Sequence, residues 1–189
     1  MPALWRCFPW DPDAAPGEPF SASYLAPGQT VGRFDLHDQP PVRYLAESPD
    51  HAIGEVLAAF RGTVFRAAYL RQQNRPLALA EVTLAASIAA RIVDCTDPDV
   101  LAARGIRPDE LAHHDRVRTQ AISRRLHEGG DVAGLRWWSA LTGAWHGLVV
   151  FTDREAPGDV TFGRPRELRA DDADLWRALE VLGIIRYRR

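Results

Sequence analysis

Apolar residues along the chain fall into short runs and helical stripes separated by turn residues. The run VRYLA, Val42 to Ala46, reads as a strand, and Ser48-Pro49-Asp50 behind it supplies an N-cap with proline at the first helical position. A helix is expected from there to about Phe60, because Ile53, Val56, Leu57 and Phe60 recur at three- and four-residue intervals. Glu55 lies off the centre of that stripe. The proline-led segment Leu77 to Leu84 and the run RIVDC around Ile92 read as strands; periodicity does not classify the alanine-rich stretch between them.

Thr96 or Asp97 is placed to cap a short helix through Ala103 that Gly105 ends. A longer helix is expected from Asp115 to Glu128, stopped by Gly129-Gly130, with Val117, Ala121, Ile122 and Leu126 turned inward. GLRWWS follows, then WHGLVVF from Trp145 to Phe151, the most strand-like run of all. A last helix from about Asp171 to Leu182 precedes the basic tail IRYRR. Up to Thr30 the chain is rich in Pro, Gly, Ser and Ala, with Trp5, Phe8, Trp10, Phe20 and Tyr24 interspersed, so residues 1–30 read as an irregular arm packed on a core of 31–189. Strands and helices interleave without a βαβ rhythm and no period repeats, which predicts a single compact α+β domain.

Composition narrows the function. A chain of 189 residues fits one domain, and 46 % hydrophobic with 25 % charged residues is ordinary for a folded protein. A formal charge of -2 offers no general pull on phosphate backbones, so direct nucleic-acid binding is not expected. Every basic residue is arginine, which excludes a lysine nucleophile. Cys7 and Cys95 show no CxxC spacing and suggest neither a disulfide framework nor zinc, so a reducing cytoplasm is the expected setting. No signal peptide and no membrane-spanning run is read, and GxGxxG and GxxxxGK[ST] are both missing.

Four positions carry groups suited to an anionic nucleotide, and each also has an ordinary reading. Arg33 in VGRFD is a surface ion-pair partner, for instance of Asp35, or a bidentate clamp on a diphosphate. Tyr44 fills the core or offers its ring to a flat nicotinamide; Glu55 is a solvated helical carboxylate or a catalytic one. Ser139 bonds local backbone or substrate. His113 and His114 are adjacent and diverge on a helix, and His51, His127 and His146 lack partners at ligand spacing, so no metal site is read. Of Trp137, Trp138 and Trp145, at least two are assigned to packing and one to a pocket wall, while Arg116, Arg118, Arg124 and Arg125 read as a solvated helix face.

Taken in order, GRFD, VRYLAESPDHAIGEVL and GLRWWSALTGAWHGLVVF resemble the RES domain, a family named for an arginine, a glutamate and a serine. The resemblance runs from about Val31 to Arg154 and places the trio on Arg33, Glu55 and Ser139, with Tyr44 as a further site residue. It implies an ADP-ribosyltransferase-like mixed sheet with flanking helices. It also implies a bacterial toxin of a toxin-antitoxin system that cleaves NAD, as substrate and with no cofactor, at the nicotinamide-ribose bond by hydrolysis or phosphorolysis. The implied partner is an antitoxin with a helix-turn-helix DNA-binding region, and an oligomer within that complex. Transfer of ADP-ribose to a cellular protein is the alternative within the enzyme class. From other classes come an RNA-targeting toxin, disfavoured by the near-neutral charge, and a noncatalytic interaction module.

Overall fold

The computed structural model describes residues 3–113 and 115–186. His114, half of the adjacent-histidine reading, and the end of the IRYRR tail lie outside the described residues. The described strands are β1 (Leu4–Pro9), β2 (Val42–Ala46), β3 (Arg71–Gln72), β4 (Arg75–Leu84), β5 (Ile92–Asp94), β6 (Gly134–Trp138), β7 (His146–Phe151), β8 (Val160–Phe162) and β9 (Arg166–Glu167). The helices are α1 (Pro49–Leu57), α2 (Ala86–Ala89), α3 (Pro98–Ala103), α4 (Pro108–Ala112), α5 (Arg116–Glu128) and α6 (Ala173–Val181). The strands form one sheet in the order β3-β4-β1-β2-β7-β6-β5, with β8 and β9 also pairing to β4. Only the β5–β6 pair is parallel among the described strands, so the fold is α+β around a mixed sheet.

Local chemistry accounts for most element boundaries. Ser48 caps α1 by accepting the His51 amide, with Pro49 in the first turn; Asp97, Asp115 and Asp172 cap α3, α5 and α6 in the same way. The alanine-rich stretch after β4 is the short helix α2, and α1 continues as a 3-10 turn to Phe60.

Two expectations are corrected. The irregular arm is not irregular at its start: β1 is an interior strand that pairs antiparallel with β4 from Leu4↔Val82 to Pro9↔Leu77 and touches β2 at Trp5↔Ala46. The inward face of α5 also differs from its apolar periodicity. Val117 is 73 % exposed and Ala121 is exposed, whereas Thr119, Ile122, Ser123, Leu126 and His127 are buried. The two hydroxyls face inward because they meet carbonyl oxygens, the condition under which buried polar groups cost little.

Alternation along β2 sends Val42, Tyr44 and Ala46 to one face of the sheet and Arg43 and Leu45 to the other. The first face is covered in two halves. One half packs Val42, Trp137, Val149 and Phe151 against Leu101, Leu111, Ile122 and Leu126 of α3, α4 and α5. The other packs Ala46, Leu77 and Leu79 against Ile53 and Leu57 of α1 and Leu175 and Leu179 of α6. A cleft opens where the two halves part, above β2 and β7. Among the described residues no helix is long and apolar enough to cross a membrane.

Candidate active site

The cleft holds a cavity of about 480 Å³. Its floor is the sheet, at Tyr44, Ala46, Gly147 and Trp137, and its walls carry Arg33, Arg116, His51, Glu55 and Val56. Small residues make the floor open: Ala46 faces Gly147 across the β2–β7 pair, and Gly147 faces Trp137 across β7–β6. A methyl group on Gly147 would stand 2.6 Å from the Trp137 ring, so the indole lies flush against bare backbone.

Arg33 sits on a loop fastened at almost every residue. The Gly32 amide donates to Asp35 Oδ2 at 2.6 Å, the Phe34 amide donates to Tyr44 Oη at 2.9 Å, and Tyr44 Oη donates to Asp35 Oδ1 at 2.8 Å. From α5, Thr119 donates to the Arg33 carbonyl, Ser123 to the Phe34 carbonyl at 2.8 Å and Gln120 to the Gly32 carbonyl at 2.9 Å. Arg33 Nη2 donates to the Leu111 carbonyl at 2.5 Å, which aims the guanidinium, while its buried Nε has no partner. Burial lowers the Arg33 pKa against the opposing charge of Glu55. Asp35 binds Tyr44 and Gly32, so the ion pair expected of Arg33 is not formed with it.

Tyr44 is thus two things at once. Its hydroxyl braces the Arg33 loop, and its ring lines the cavity edge-on to Trp137, with centroids 6.1 Å apart. Burial and the neighbouring Asp35 push the phenol pKa up, so it stays neutral.

Glu55 projects from α1 into the cleft, half exposed. Ser139 Oγ donates to Glu55 Oε1 at 2.7 Å and itself accepts the Leu141 amide at 3.1 Å. His51 Nε2 lies 3.0 Å from the same oxygen. Burial in the cleft pushes the carboxyl pKa up, but the bonds from His51 and Ser139 and the charges of His51 and Arg33 outweigh it and hold Glu55 below the usual carboxylate range.

Arg33, Tyr44 and Glu55 therefore line one cavity, and Ser139 reaches it through Glu55. Trp145 packs against α1 at Gly54 and Trp137 lines the pocket, so the tryptophans divide between packing and wall. Arg116, read as part of a solvated face, lies on the cavity wall, whereas Arg118 and Arg124 pair with Asp115 and Asp38. Metal-ligand spacing, the usual signature of a functional histidine, does not single out His51. Its signal was the four-residue step to Glu55 on one helix face. Among the described residues no group of His, Cys, Asp and Glu is arranged to hold a metal.

The combination of an apolar, partly aromatic floor, an arginine with a free buried donor and a carboxylate held ionised suits a ligand that is anionic at one end and develops positive charge at the other. The RES domain family model matches residues 3–171. That span begins well before Val31, because β1 is part of the sheet. A chain in the crystal structure of the M. tuberculosis MbcT-MbcA toxin-antitoxin complex has a similar fold, with a TM-score of 0.62 and 21 % identity, over 96 % of this chain and 88 % of that one. No curated protein matches.

Proposed function

The chain belongs to the RES domain family, and on that footing we propose that it is a toxin that cleaves NAD at the bond between nicotinamide and ribose. The observation that carries this reading is Glu55, held as a carboxylate with Oε1 tied to Ser139 and lining the same cavity as Arg33. Breaking the bond sends its electron pair to the nicotinamide nitrogen, which leaves neutral, and puts positive charge on ribose C1 as in glycoside hydrolysis. No acid is needed to protonate the leaving group. A fixed carboxylate beside the ribose stabilises that charge as it grows.

Arg33 would hold the diphosphate with its unpartnered Nε and remaining guanidinium protons. The rings of Tyr44 and Trp137 would flank the nicotinamide. Ser139 would act through Glu55, since its hydroxyl is already committed to the carboxylate. Water then adds at C1 and releases a proton, giving ADP-ribose; phosphate in its place gives the 1″-phosphate. The relative seen in a toxin-antitoxin complex supports an antitoxin as partner. The exposed Val31 and Val117, beside Gly32 and Arg116 at the cavity edge, offer such a partner apolar contact.

Mass spectrometry of cell extracts after brief induction of wild type and Glu55→Gln tests the reading. NAD should collapse with wild type alone, and the product, ADP-ribose or its 1″-phosphate, names the acceptor. Unchanged NAD with arrested growth would overturn it and turn the search to a modified protein.

A further inference from the structure

His51 is the most buried titratable group at the cleft, 2 % exposed, and the proposed chemistry leaves it without a task. We propose that His51 is a positioning residue for Glu55: with both ring nitrogens protonated, it joins Ser139 in holding Oε1 and leaves Oε2 as the one oxygen offered to substrate. The inference rests on the NAD-cleaving reading for its rate effect, but its hydrogen-bond chemistry stands independently.

His51 Nδ1 lies 3.1 Å from the carbonyl oxygen of His146 on β7. A carbonyl only accepts, so Nδ1 carries a proton. The other nitrogen, Nε2, lies 3.0 Å from Glu55 Oε1. In a neutral ring protonated at Nδ1, the Nε2 lone pair would face a carboxylate lone pair at that distance, a repulsive contact. A second proton therefore lies between them. Arg33 and Ser139 both favour the ionised carboxylate, which places that proton on nitrogen. The Ser139 oxygen also accepts the Leu141 amide, which anchors the hydroxyl beside Glu55.

The surroundings suit a cationic ring. Trp145 stacks on His51 with centroids 5.2 Å apart and planes at 21°, and an indole face attracts a cation. That indole is fixed in turn by donating Nε1 to Asp50 Oδ2 at 3.2 Å, and it can approach α1 only because residue 54 is glycine: a methyl there would stand 2.6 Å from it. The charged and titratable groups around the ring are thus Glu55 and Asp50 on α1 and His146 on β7, whose own ring Nδ1 sits 3.6 Å from Glu47. Among the described residues Glu55 Oε2 has no hydrogen-bond partner, which leaves it for the ribose.

The test has two arms on the purified full chain. In the first, ¹⁵N NMR reads the His51 ring nitrogens in wild type and Glu55→Gln. Two protonated nitrogens in wild type and one in Glu55→Gln are expected; a neutral ring in wild type overturns the proposal, whether or not NAD is turned over. In the second, kcat and KM for NAD are compared for wild type, His51→Phe, which keeps a ring against Trp145, and His51→Gln, which restores one donor toward Glu55. His51→Phe is expected to lose about ten- to a hundredfold in kcat with KM nearly unchanged, and His51→Gln to regain most of it. A folded His51→Phe with wild-type kcat overturns the positioning role. Absence of turnover in wild type would instead refute the NAD reading and leave the spectra to decide the pair.

Discussion

Ser139 donates its hydroxyl to Glu55 Oε1 at 2.7 Å although 84 residues separate them, and its oxygen also accepts the Leu141 amide. Because the folded Glu55 pKa is depressed, the ionised site is complete above the ordinary carboxylate range and is lost as pH falls through the depressed value. The acid limb of NAD cleavage should accordingly lie below the ordinary carboxylate range. In Ser139→Ala one of the stabilising bonds is gone, so that limb should move to higher pH. An unmoved limb in a pH-rate profile would mean that the serine does not act on the carboxylate.

Thr119 is fully buried and donates to the Arg33 carbonyl across 86 residues. Thr119→Val keeps the shape and removes the donor, leaving a carbonyl without that partner, at a cost of about 1–3 kcal/mol. Urea unfolding should show that loss, and KM for NAD should rise as the Arg33 loop loosens. An unchanged KM would separate the loop from substrate binding.

Arg33→Lys keeps the charge but cannot both bond the Leu111 carbonyl and present a planar fork to a diphosphate. ADP-ribose binding, measured by calorimetry, should weaken by about tenfold or more with thermal stability near wild type. Equal affinity would remove Arg33 from the diphosphate.

Gly147→Ala tests the floor. Its methyl would meet the Trp137 ring at 2.6 Å, and overpacking of this kind costs about 1–3 kcal/mol. Cleavage should fall together with stability as the indole is pushed into the cavity; a variant of wild-type activity and unfolding midpoint would show that Trp137 yields freely.

Burial pushes both thiols up to about 12, and only the thiolate is a strong nucleophile. Neither Cys7 nor Cys95 should be alkylated by iodoacetamide at neutral pH in the native chain, and both should react once it is unfolded. Mass spectrometry of the intact protein counts the adducts, and rapid native labelling of Cys7 would show a looser β1 than the structure has.

Where sequence order and spatial order coincide, the pattern was legible. VRYLA followed by Ser-Pro-Asp carries its own strand, turn and cap, so β2 and α1 fall where expected and bring Tyr44 and Glu55 with them. β1 was not legible: LWRCFP holds Arg6 amid apolar residues and is followed by further prolines, and what makes it a strand is pairing with residues 77–82, far along the chain. On α5 the apolar stripe misled because Thr119 and Ser123 face inward for the sake of carbonyls on the Arg33 loop. Periodicity counts apolar side chains and is blind to such bonds. The trio Arg33, Glu55 and Ser139 came from family resemblance; the tie between Glu55 and His51 needed only helix geometry.

The placement of β2 between β1 and β7 also sets a schedule for synthesis. While the chain leaves the ribosome, β1 waits for β4, and β2 keeps one bare edge until residues 146–151 emerge. Glu55 meanwhile has no Ser139 and the cleft has no floor at Gly147. A nascent or frameshifted chain ending before these residues therefore lacks both the Ser139 tie and the cleft floor, and the candidate site is assembled only late in translation, when most of the chain has already left the ribosome.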